Sequence, residues 1–90
     1  MTQLSASHIL VATLEEAQLL ATQISEGADF GLLATQHSKC PSGRNGGQLG
    51  TFSSGQMVKS FEDATIALPI GGISEPIQTQ FGFHLINRTA

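Results

Sequence analysis

The chain has no tryptophan and no tyrosine, so phenylalanine, leucine and isoleucine must supply its core. One cysteine in 90 residues excludes an internal disulfide and favours a reducing compartment, the cytoplasm. Charge is scarce, at 12% of residues, and the net charge is −3. Lys39, Arg44, Lys59 and Arg88 are the only cations besides histidine, and they are scattered, which excludes the basic stripe of a nucleic-acid binder. No apolar run approaches the roughly 18 residues of a membrane span. The N-terminus shows no basic segment followed by an apolar one, so no signal peptide is expected.

What is present suits a small globular protein. Apolar residues make up 40%, and ten glycines imply many turns and close backbone approaches. Ninety residues form one domain, 1–90, read as a monomer. A chain of this size buries only about 60–65% of its unfolded surface, so the core is modest.

Leu4 to Val11 reads as a strand. Thr13 then caps a helix, with Glu16 reaching back and Ala17, Leu20, Ala21 and Ile24 on one face. Gly27 ends it. Asp29 caps a second helix with Phe30, Leu33 and Ala34 as its buried stripe, stopping before Pro41. Residues 41–47 are so rich in turn formers that they predict a mobile loop without regular structure. A short strand over Leu49–Phe52 is followed by a turn at Ser53-Ser54-Gly55. Ser60 caps a third helix bearing Phe61, Ala64 and Leu68. Pro76–Thr79 predicts an edge strand, because proline gives no ladder donor. In a final strand, Phe83–Arg88, His84 and Ile86 share one face, and Phe83 and Leu85 the other. This order predicts an α+β fold with helices packed on a small antiparallel sheet.

Three side chains carry potential chemistry: His8 in the first strand, His84 in the last, and Cys40 between them. The plain reading of each histidine is a buried, hydrogen-bonded core residue, and His37 is expected to be solvated. A thiol hydrolase would need a base-activated thiolate and an oxyanion donor pair, and nothing marks the latter. A zinc site from Cys40, His8 and His84 lacks the usual close-spaced ligand pair. The reading is therefore of no metal.

Five blocks, in order and almost end to end, resemble the parvulin family of peptidyl-prolyl isomerases. They are Ser7-His8-Ile9-Leu10-Val11, Gly27-Ala28-Asp29-Phe30, Gly46-Gly47-Gln48-Leu49-Gly50, the span from Gly55 to Glu62 with Met57 and Phe61, and Thr79-Gln80-Phe81-Gly82-Phe83-His84. The resemblance implies a four-stranded antiparallel sheet surrounded by three or four helices. It implies an apolar cup for the substrate proline from Leu49, Met57 and Phe61. His8 and His84 would pair beneath it with Thr79 in their network, and Cys40 would face the isomerising bond. The family often has Asp at that cysteine position, which argues against a covalent role. Gln56 and Ser38 lie near these residues in sequence without an assigned role.

The implied reaction makes and breaks no bond, so no cofactor is expected. Its partners would be proline-containing peptides and unfolded or partly folded protein segments. Phosphoserine-directed parvulins carry a basic cluster after the first strand, whereas Ala12-Thr13-Leu14-Glu15-Glu16 is acidic and would repel a phosphate. The expected substrates are therefore Xaa-Pro bonds with uncharged or apolar Xaa. The rival reading is a chaperone-like module that binds such segments with little turnover.

Overall fold

A computed structural model describes residues 3–53 and 55–90. Ser54, part of the expected turn, lies outside the described residues. The order is β1 (Gln3–Val11), α1 (Leu14–Ser25), α2 (Phe30–His37), a 3₁₀ turn (Pro41–Asn45), β2 (Gln48–Ser53), α3 (Lys59–Ala67), β3 (Ile77–Thr79) and β4 (Gly82–Arg88). The strands form one antiparallel sheet in the order β2-β1-β4-β3, so the first and last strands are central neighbours. β3 lies at an edge, as Pro76 requires.

The register sorts the central side chains. Ile9 opposes Leu85 and Val11 opposes Phe83 on one face; His8 opposes Ile86 and Leu10 opposes His84 on the other. Helices α1 and α2 cover the first face, where Ala17, Leu20, Phe30 and Leu33 pack on Ile9, Val11 and Leu85. Helix α3 covers part of the second, with Phe61 against Leu4, Ala6, Phe52 and Ile86.

The expected caps form. The Thr13 side chain accepts from the Glu16 amide, and Asp29 accepts from Leu32 N at 2.8 Å. Two expectations are corrected. Helix α3 begins at Lys59 with Val58 as its N-cap and no side-chain cap, so Ser60 lies inside the first turn. At its other end Arg88 Nη1 donates to the Leu68 carbonyl at 2.8 Å. Residues 41–45 are regular after all. Pro41 opens the 3₁₀ turn, Gly43 N donates to Cys40 O at 2.9 Å, and Gly43 is buried against α2. Tertiary packing, which turn-forming composition does not report, orders this segment.

Candidate active site

The β1–β2 ladder slips between Ala6 and Ser7: Ala6 pairs with Gly50 and Ser7 with Gln48. Leu49 is the extra residue of a β-bulge, a device that re-aims a side chain, and here it lines a cavity. Glycines flank it for steric reasons. Gly47, at φ 82°, lies so close to β1 that a Cβ would collide with the His8 carbonyl, and Gly50 sits at φ 73°.

The open cavity, of about 520 Å³, lies on the His8–His84 face between α3 and the 3₁₀ turn. Leu49, Met57 and Phe61 line it together with Cys40 and Pro41. Phe61 is only 1% exposed, so it serves mainly as a floor. Its ring stands edge-on to both imidazoles, with centroids 5.5 Å from His8 and 5.4 Å from His84.

Beneath the cavity a hydrogen-bonded chain runs from the sulfur of Cys40 to the β3–β4 turn. Ser42 Oγ donates to Cys40 Sγ at 3.3 Å. With its proton committed there, Ser42 Oγ accepts from His8 Nε2 at 3.2 Å. His8 Nδ1 then accepts from His84 Nδ1 at 2.9 Å, and His84 Nε2 accepts from the Thr79 hydroxyl at 2.7 Å. Thr79 Oγ1 in turn accepts from Phe81 N at 3.2 Å. Each link has one proton, and both imidazoles are neutral in this arrangement. Burial pushes the His8 pKa down from 6.5 to about 4, with repulsion from His84 adding to it. Burial lowers His84 as well.

Thus His8, His84, Cys40, Leu49, Met57 and Phe61 meet around one cavity. Thr79 stands behind it, hydrogen-bonded to His84. Gln56 also lines the cavity, and its Oε1 accepts from Ser53 N. Ser38 accepts from Leu10 N and Cys40 N, anchoring the rim to β1. His37 is exposed. Sequence reasoning missed Ser42, Leu10 and Phe81. Leu10 was legible, because it shares the alternation of His8; Ser42 and Phe81 carried no local signal. The acidic pair Glu15-Glu16 does not line the cavity, and Lys39 is its only lysine, arginine or carboxylate. The pair belongs to the first turn of α1. Among the described residues no group of three or more His, Cys, Asp or Glu side chains is arranged to hold a metal ion.

Comparison with known proteins places this geometry. The foldase protein PrsA of Geobacillus sp. strain WCH70 is 46% identical over 88 residues, 97% of this chain and 32% of that protein. The crystal structure of the peptidylprolyl isomerase PrsA from Bacillus anthracis superimposes with a TM-score of 0.97 at 43% identity, covering 98% of this chain and 41% of that one. The parvulin NmPin of Nitrosopumilus maritimus gives 0.89 at 41% identity, covering 100% and 98%. The chain thus spans about a third of the length of the curated PrsA proteins it resembles, 31–32% in two Geobacillus relatives, and nearly all of the Nitrosopumilus parvulin. Residues 7–90 match the rotamase model, described as the PPIC-type PPIase domain, and the chain belongs to that family.

Proposed function

We propose that this domain catalyses cis/trans isomerisation of Xaa-Pro bonds in peptides and in unfolded or partly folded protein segments. The observation that carries the proposal is the apolar cavity of about 520 Å³ that Leu49, Met57 and Phe61 line together with Cys40. The uncatalysed bond crosses a barrier of about 18–20 kcal/mol and isomerises in tens to hundreds of seconds. Acceleration by four to five decades needs roughly 5.5–7 kcal/mol of differential stabilisation.

That stabilisation must favour the twisted amide, whose nitrogen is less delocalised and whose oxygen is less charged than in the planar forms. The cup removes water from the amide and holds the proline ring, Met57 adapting to its shape. The flanking carbonyl then rotates past Cys40. The histidine chain fixes the dipoles beneath the site, with no proton transfer and no covalent bond to sulfur. Thr79, His8 and His84 act by positioning.

The connection between β1 and α1 is only Ala12–Thr13, too short to carry a basic phosphate clamp, which supports uncharged or apolar residues before proline. The proposal includes a monomer, and a reducing compartment for which the lone Cys40 is the support. A protease-coupled assay with a panel of Xaa-Pro peptides tests the reading. The expected result is turnover well above background, with Leu or Ala before proline preferred over Glu or phosphoserine. Peptide binding without turnover would replace isomerisation with chaperone-like holding. A phosphoserine peptide turned over tenfold faster than its neutral counterpart would overturn the specificity.

A further inference from the structure

A second cavity, of about 380 Å³, lies beyond the rim of the first, between the end of α2 and the 3₁₀ turn. The two share Lys39, Cys40 and Pro41 as a common wall, and Arg44 lines the second alone. Its remaining polar groups are partly committed. Thr35 Oγ1 shares its one proton between the carbonyls of Gly31 and Gly43, at 3.0 and 3.1 Å. Ser38 Oγ accepts from two backbone amides, which leaves its hydroxyl proton to give. Neither Lys39 nor Arg44 has a side-chain hydrogen bond or ion pair among the described residues. What the cavity offers is therefore donors and positive charge.

The placement runs against the composition. The chain holds seven acidic residues and four Lys plus Arg. None of the seven acids lines either cavity, while two of the four cations border the second. In a net-negative protein, the ground beside the proline cup is cationic, and such a concavity attracts negative charge.

We infer that this cavity is a specificity subsite for an acidic side chain of the bound peptide, held by Lys39 and Arg44 across the Cys40–Pro41 ridge from the proline ring. The inference rests on the isomerase reading of the adjoining cup. A carboxylate fits the donor set; a lysine or arginine in the same peptide position meets like charge. An acid there does not need to adjoin the proline, because the ridge separates the two cavities.

The test scans Asp, Ala and Lys through the three positions on either side of proline, reading both kcat/KM and peptide Kd. At one position Asp should improve both by about three- to fivefold over Ala, as suits a partly exposed ion pair, and Lys should weaken both. The gain should shrink in 0.5 M salt. Arg44→Gln should remove most of it, and Arg44→Glu should invert it, while the all-Ala peptide is turned over as before. An optimum directly before proline would keep the subsite and displace the uncharged preference there. Turnover with no acidic preference in either readout, or full preference retained in Arg44→Glu, overturns the subsite. Acidic preference in Kd with no turnover of any peptide keeps the subsite and overturns the isomerase reading.

Discussion

On the sheet face under α1 and α2, β1 and β4 present Ile9, Val11, Phe83 and Leu85, all apolar and covered by two helices. On the opposite face the same strands present His8, Leu10, His84 and Ile86, and α3 leaves part of that surface open as the cavity. One pair of strands thus builds two surfaces with different tasks. The first can be optimised for packing alone. The second keeps two imidazoles at 4% and 5% exposure, satisfied only by each other and by Ser42 and Thr79. A small domain has little stability to spare, so both buried imidazoles share one face and each of their ring nitrogens has a hydrogen-bond partner.

The division breaks most visibly by truncation. Leu85 is fully buried in the apolar face, and Leu85→Ala should cost roughly 2–5 kcal/mol through lost transfer energy and the cavity left behind. Met57, half-buried at the cup, should cost far less stability on Met57→Ala while lowering kcat/KM. Urea midpoints and kinetics of the two variants give the comparison. Equal loss of stability would mean that the cup is core after all.

The next effect is set by pH and belongs to the histidine face alone. Unfolded His8 takes a proton near pH 6.5, while the folded chain resists it until about pH 4. In that window the unfolded state binds more protons, so stability is full above pH 6.5 and falls as pH drops toward 4. The shift corresponds to roughly 3 kcal/mol at most for His8, with His84 acting in the same direction. A second proton would set two donors against each other across the 2.9 Å Nδ1···Nδ1 contact. Urea midpoints from pH 7.5 to 4 should show the loss, and His84→Ala should flatten the slope. That variant should also lose about 1–3 kcal/mol at neutral pH, because His8 Nδ1 is left without its partner. Wild-type stability in His84→Ala would contradict the structural role of the pair.

The two faces also differed in how legible they were. Alternation along β1 and β4 sorted Ile9 and Leu85 from His8 and His84 without any structure, and Thr13 and Asp29 marked their helices by cap chemistry. These signals are local and periodic. The cup was legible only through resemblance, since Leu49, Met57 and Cys40 come from three separate segments with no shared period. What failed depended on contacts distant in sequence. Turn-rich composition over 41–47 cannot reveal that Gly43 packs on α2 or that Gly47 touches β1. Nor can it reveal that Ser42 joins His8 to Cys40.

The smallest expected effect tests what the histidine face uses its sulfur for. A nucleophilic mechanism needs a thiolate, and a carboxylate does not replace it as a soft nucleophile. The twisted-amide mechanism needs only a small polar or negative group at the rim. The structure adds a second requirement, because Cys40 Sγ is the acceptor that ends the chain through Ser42. A carboxylate at position 40 accepts the same Ser42 proton, so the direction of every bond back to Thr79 is preserved. Alanine accepts nothing, and frees Ser42 to turn its proton toward His8. Cys40→Asp should therefore keep kcat/KM within about tenfold of wild type, roughly 1.4 kcal/mol in barrier, and Cys40→Ala should fall further. Cys40 is half-buried at a cavity rim, so both variants should fold, which circular dichroism checks. Alkylation of the thiol should inhibit by bulk in either mechanism and does not discriminate. A folded Cys40→Asp variant with turnover at the uncatalysed background would show that the sulfur itself does the chemistry, and the division of labour between the two faces would have to be redrawn around a covalent step.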